Sequence, residues 1–145
     1  MKLSGFCSLL VFAVAAFADV VSYDGVYDSA STSLDVVFKE RHYAQACSDE
    51  LETQGYSTFG SLPGFPFIGG AGAVDGAGST NCGTCWRLTY PKTGKTINVL
   101  AVDHAGPGTF NIALKAMNNL TNNQAVKLGR VTVSSIQVAK SACGL

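Results

Sequence analysis

Charge is scarce in this chain: only 14% of its 145 residues are Asp, Glu, Lys or Arg, ten acidic against ten basic. It has one tryptophan, two methionines and two histidines, and no run of like charges. With so few charges, a soluble surface must be built from hydroxyls, amides and glycines, and part of it is apolar. Beyond the N-terminus no stretch is long and apolar enough to span a bilayer as a helix. No internal repeat marks a solenoid. No Gly-x-Ser-x-Gly elbow, zinc-protease helix or phosphate-cradling glycine loop is present.

What is there begins with Met1-Lys2-Leu3 and the apolar run Leu9 to Phe17, closed by the small-x-small triplet Ala16-Phe17-Ala18. This is the pattern of a secretory signal peptide over residues 1–18, cut after Ala18. The remaining residues, 19–145, make one domain's worth of chain, destined for the extracellular space or cell wall. Loss of Lys2 leaves nine basic against ten acidic residues, a net charge near −1. Summed over the chain, that balance argues against nucleic acid or an anionic membrane as partner, and favours neutral ligands.

Cys7 leaves with the signal peptide, and Cys47, Cys82, Cys85 and Cys143 stay. In an oxidising compartment four cysteines make two disulfides. A Cys82–Cys85 bridge would close a tiny loop, whereas tying each to a distant partner stabilises by roughly 3 to 4 kcal/mol apiece. Two distant pairings remain open on this ground. Cys82-Gly83-Thr84-Cys85 is not half of a zinc site, since Cys47 and Cys143 are far apart in sequence and no histidine stands at ligand spacing. It leads straight into a strand rather than a helix, unlike a redox pair.

Along the chain, Val20 to Tyr23 reads as a strand ended by Asp24-Gly25, with a second extended piece over Leu34 to Phe38. Lys39 to Glu52 concentrates charge and reads as exposed loop or short helix. Gly55 to Gly83, crowded with Gly, Pro and Ser but carrying Phe59, Phe65, Phe67 and Ile68, reads as ordered loop. Strands follow at Trp86 to Tyr90, Thr96 to Asp103 and Arg130 to Val138; the first two form a hairpin through Pro91-Lys92-Thr93-Gly94-Lys95, with Gly in a left-handed position. Between the last two, the spacing of Ile112, Met117, Leu120, Ala125 and Leu128 predicts short helices split at Thr121-Asn122-Asn123 and stopped by Gly129. The fold class is mainly β with short helices, a small barrel.

The chemistry-bearing candidate is Val102-Asp103-His104-Ala105-Gly106-Pro107-Gly108, a carboxylate and an imidazole at a strand's end before a glycine-rich turn. Asp103 either accepts hydrogen bonds from sugar hydroxyls or caps its own turn. Glycosidic hydrolysis needs two carboxyl groups about 5 to 9.5 Å apart. Asp24, Asp28 and Asp75 are the other acids in reach, and each sits in a turn where capping suits it better. No metal or cofactor is called for. Tyr23, Tyr27, Tyr43, Tyr56, Trp86 and Tyr90 offer rings for sugar stacking or core filling, Trp86 favouring the core. Asn119-Leu120-Thr121 is a glycosylation sequon.

Taken jointly, Val21-Ser22-Tyr23-Asp24, Cys47-Ser48-Asp49, Phe65 to Gly70, Cys82-Gly83-Thr84-Cys85-Trp86, Val99 to Gly106, Phe110 to Ala113, Leu128 to Val131 and Cys143-Gly144-Leu145 resemble the cerato-platanin family over nearly all of residues 19–145. The resemblance implies a six-stranded double-psi β-barrel related to the first domain of expansins, with bridges Cys47–Cys82 and Cys85–Cys143. It also implies binding of chitin-derived N-acetylglucosamine oligomers or other wall polysaccharide in a shallow groove, loosening without hydrolysis, self-assembly at interfaces, and elicitation of plant defence through a plant receptor. Asp103 falls on the groove's aspartate, with Asn111 and Tyr23 on neighbouring polar positions. The chain departs from the family in a longer stretch from Val37 to Ala46 and in Glu50-Leu51-Glu52 after Cys-Ser-Asp. A hydrolase using Asp103 and a purely surface-active protein are the alternatives.

Overall fold

A computed structural model describes residues 16–34 and 46–145. Six strands, β1 (Phe17–Tyr23), β2 (Ile68–Ala71), β3 (Cys85–Tyr90), β4 (Lys95–His104), β5 (Thr109–Ile112) and β6 (Arg130–Val138), close into a barrel in the order β1-β5-β2-β4-β3-β6. β1 runs parallel to β5 and β2 parallel to β4, while the other neighbours are antiparallel. This is the double-psi arrangement that the resemblance implies. Closure leaves no open sheet edge.

Alternation along the strands decides what faces inward. Val131, Val133 and Ser135 of β6 are buried between exposed or half-buried neighbours, and Val21, paired with Val131, joins them. Leu88 and Tyr90 on β3, Ile97 and Val99 on β4, and Phe110 on β5 complete the interior. Tyr27, Phe59 and Leu62 are buried in the same core cluster, together with Leu51 from helix α1 (Ser48–Thr53). The disulfides tie the chain outside the strands to the barrel. Cys47–Cys82 and Cys85–Cys143 span 35 and 58 residues, and each contributes about 4 kcal/mol by loop entropy. The helices α2 (Leu114–Thr121) and α3 (Ala125–Leu128) end in left-handed Asn122 and in Gly129 with φ 65°, as the turn residues predict.

Strands β3, β4 and β6 match their expected spans to within a residue, and Gly94 in the hairpin takes φ 68°. Two readings are corrected. The stretch 55–83 is not all loop, because Ile68–Ala71 is a strand paired on both sides. Ile112 does not begin the helical pattern; it ends β5, and the helix starts at Leu114. Both strands have four residues, and β2 is half glycine, so neither shows a period. The glycines of β2 are required by close approach: a Cβ on Gly69 would lie 2.7 Å from the Ile112 Cα, and one on Gly70 2.6 Å from the His104 carbonyl oxygen. The expected extended piece beyond Leu34, the charged stretch up to Gln45 with Tyr43, and most of Val37 to Ala46 lie outside the described residues.

Candidate functional site

The site is a row across the barrel's outer face. A register shift between Gly69 and Gly70 turns the end of β4 so that Asp103 pairs with Gly70; Gly70 also pairs with Asn111 on β5, and Asn111 with Ser22 on β1. Paired residues share a face, so Asp103 and Asn111 stand on either side of a position that has no side chain. At a strand spacing near 4.8 Å, their backbones are about 10 Å apart. Gly70 between them is buried, and the His104 carbonyl oxygen occupies the place that a side chain there would need.

Each flanking group is held in one orientation. The Tyr27 hydroxyl donates to Asp103 Oδ2 at 3.0 Å, and the His104 backbone N–H donates to Oδ1 at 2.7 Å. Tyr27 itself is buried and packs its ring against Phe59 at 5.5 Å between centroids. Ser22 Oγ donates to Asn111 Oδ1 at 3.2 Å, which directs the amide nitrogen away from that bond. The row thus sets a fixed carboxylate acceptor opposite an amide donor.

The neighbouring acids are committed elsewhere. Asp24 Oδ1 accepts from the Val26 N–H and caps the 3-10 turn Gly25–Asp28. Asp28 accepts from the N–H groups of Leu114 and Lys115 at 2.7 and 2.9 Å, satisfying the start of α2. Asp75 lies on the rim loop. The Ser79 hydroxyl, then Asp75's own backbone N–H and the nearby His104 ring, hold its carboxyl below the usual carboxylate range against a small opposing effect of burial. A carboxyl so shifted is a poor proton donor at neutral pH. His104 Nδ1 meets the Val74 carbonyl, which fixes the proton on that nitrogen and ties the rim loop to the end of β4. Asp19, inside the barrel mouth, accepts from the buried Ser135 hydroxyl.

The residues expected from sequence divide accordingly. Asp103 and Asn111 come together. Tyr23 pairs with Ile112, one step past the Ser22–Asn111 pair, so alternation puts it on the other face of β1, where its ring packs against the core. The residues that sequence reasoning did not assign to the site are Tyr27, Ser22 and Gly70. No local signal marks them, because each acts through a partner at least 33 positions away. Trp86 donates Nε1–H to Thr84 Oγ1 and sets its ring edge-on to Phe110, a packing role. Asn119 of the sequon is exposed on α2. Among the described residues, no group of three His, Cys, Asp or Glu could hold a metal, and no helix is long and apolar enough to cross a membrane. A cavity of about 460 Å³ among Phe67, Asn98 and Asn119 has no titratable group in its lining and does not include Asp103.

The fold and row define a class: a small, doubly cross-linked closed barrel with one oriented carboxylate at the end of β4. The cerato-platanin family profile matches residues 19–145. An "Allergen Asp f 15 homolog" of Arthroderma benhamiae is 45% identical over 127 residues, covering 86% of this chain; the chain spans 57% of that relative's length. The crystal structure of cerato-platanin 3 from M. perniciosa superposes with TM-score 0.78 at 44% identity, over 89% of this chain and all of that one. A mutant expansin of Clavibacter michiganensis, crystallised with cellohexaose, shares the barrel at TM-score 0.55 and 14% identity, over 86% of this chain and 51% of the expansin. The chain belongs to the cerato-platanin family.

Proposed function

We propose that the chain is a secreted, non-hydrolytic protein that binds chitin-derived N-acetylglucosamine oligomers across the row Asp103, Gly70 and Asn111. In this reading residues 1–18 are removed on export and 19–145 form the working domain, its two bridges suited to an oxidising exterior. The observation that carries the reading is an oriented acceptor, Asp103, and an oriented donor, Asn111, on the strands either side of β2. A sugar that reaches both groups offers hydroxyls to the carboxylate and an acetamido carbonyl to the amide nitrogen of Asn111. Tyr23 supports the row from beneath. With Asp24 and Asp28 engaged in capping and Asp75 held ionised, the carboxylate binds and does not cut. Binding without cutting competes with chain-to-chain contacts in wall polysaccharide and loosens it. Fragments released or presented in this way, or the barrel itself, elicit plant defence through a host receptor.

Titrating chitin oligomers into labelled protein tests this. Amide resonances of Gly70, Asp103, His104 and Asn111 shift together, and Asp103→Asn weakens binding about tenfold to a hundredfold, the range for losing a charged hydrogen bond. If those amides stay still at millimolar ligand, the groove reading is wrong. New reducing ends that vanish in Asp103→Asn would replace it with hydrolysis.

A further inference from the structure

The near-neutral total hides a division of charge along the chain. Nine of the ten acids precede Gly76; from Gly76 to Leu145 a single acid, Asp103, faces seven cations, Arg87, Lys92, Lys95, Lys115, Lys127, Arg130 and Lys140. The fold gathers four of these at one end of the barrel. The β3–β4 hairpin tip carries Lys92 and Lys95, α3 carries Lys127, and β6 opens with Arg130. Thr93 Oγ1 donates to the Leu120 carbonyl and the Ala125 N–H donates to Asn118 Oδ1, which fasten the hairpin tip and α3 to the end of α2. Lys92, Arg130 and Leu128 line one groove of about 410 Å³.

All four cations are exposed, and none has an ion pair among the described residues. Asp103 is remote: it stands eight residues along β4 from Lys95, about 27 Å at the rise of an antiparallel strand. The acid closest in register is Asp24, two residues past the Ser22–Arg130 pair, and its carboxylate caps a turn. The same end also carries exposed apolar side chains. Among the described residues three large apolar side chains are exposed, and apart from Phe17 in the expected signal segment they are Val126 at 68% and Leu128 at 40%.

We infer that this end is a docking surface for an anionic lipid bilayer, adsorbing to headgroups without crossing the membrane. Unpaired cations around two protruding aliphatic side chains match a bilayer surface, which offers diffuse negative charge and a shallow apolar layer. An acidic polysaccharide would be met differently, by anchored polar groups of the kind that hold Asp103; among the described residues Lys92, Lys127 and Arg130 have no such anchors. The whole-chain charge balance does not exclude this partner, because a sum over the chain says nothing of where its charges stand, and the field of a distant charge is screened beyond about 10 Å.

Sedimentation of the full chain with vesicles tests the inference. Protein sediments with phosphatidylcholine vesicles containing about one-third phosphatidylserine and not with phosphatidylcholine alone, and binding falls as salt rises. The triple variant Lys92→Gln, Lys127→Gln, Arg130→Gln binds roughly a hundredfold more weakly, about fivefold per cation removed. Val126→Ser weakens binding as well, and none of these variants changes chitin-oligomer binding. Equal sedimentation with neutral vesicles, or none with either, overturns the inference. Retention on polygalacturonate without vesicle binding overturns it too, and assigns the groove to an acidic glycan.

Discussion

Replacing Tyr27 with Phe removes one oxygen and keeps the ring against Phe59, so it isolates the bond that orients Asp103. A hydrogen bond to a charged group contributes about 1.5 to 3 kcal/mol net. Tyr27→Phe should therefore lower stability by about 2 kcal/mol, which for a domain of this size corresponds to a fall of roughly 6 °C in Tm. The informative experiment is a cycle with Asp103→Ala. In that background the buried Tyr27 hydroxyl has lost its 3.0 Å acceptor, and leaving it there costs about 1 to 3 kcal/mol. Tyr27→Phe then removes a hydroxyl that no longer has this acceptor, and its cost falls. Denaturant unfolding with the disulfides intact measures all four corners, and the coupling should reach at least about 2 kcal/mol. If Tyr27→Phe costs the same in both backgrounds to within about 0.5 kcal/mol, the hydroxyl is not acting through Asp103 and the site geometry proposed above is wrong.

Gly70→Ala places a methyl 2.6 Å from the His104 carbonyl oxygen, backbone that cannot swing aside, and should cost about 3 kcal/mol or more; Gly25→Ala, with nothing within 4 Å, serves as the control and should change stability by less than about 1 kcal/mol in thermal unfolding. Asp28→Ala strips two acceptors from the start of α2 and should cost about 1 to 2 kcal/mol, with hydrogen exchange quickening at Leu114 and Lys115 before it does so in the barrel.

The vesicle and oligomer experiments bear on opposite ends of one strand. β4 carries Lys95 at its start and Asp103 near its end, so one rigid element separates the cationic surface from the groove. A bilayer contact at the first end leaves the second facing outward.

Some of this was legible from residues alone. Strand β6 and the Trp86 to Tyr90 part of β3 alternate long enough for the period of two to show, β4 reads as a long β-branched and apolar run, and Gly94, Asn122 and Gly129 mark turns whose left-handed backbone favours those residues. The capping roles of Asp24 and Asp28 follow from short polar side chains in turns, a local matter. The cysteine count fixed that there are two bridges and left the pairing to the family resemblance, which the coordinates match.

Other features had no local trace. β2 and β5 are strands because partners on both sides satisfy their backbones, so Ile68-Gly69-Gly70-Ala71 looks like a turn until β4 and β5 are beside it. Asp103 was visible as a polar residue at a strand's end, but its partner Tyr27 lies 76 positions earlier, and only barrel closure brings the two within 3.0 Å. The charge of the chain was countable from the first residue to the last, yet a sum has no direction. Local chemistry is written in neighbouring residues, so composition and turn residues determined a disulfide-bonded β domain; the site and the cationic end come from contacts between distant segments, which the tertiary structure alone decided.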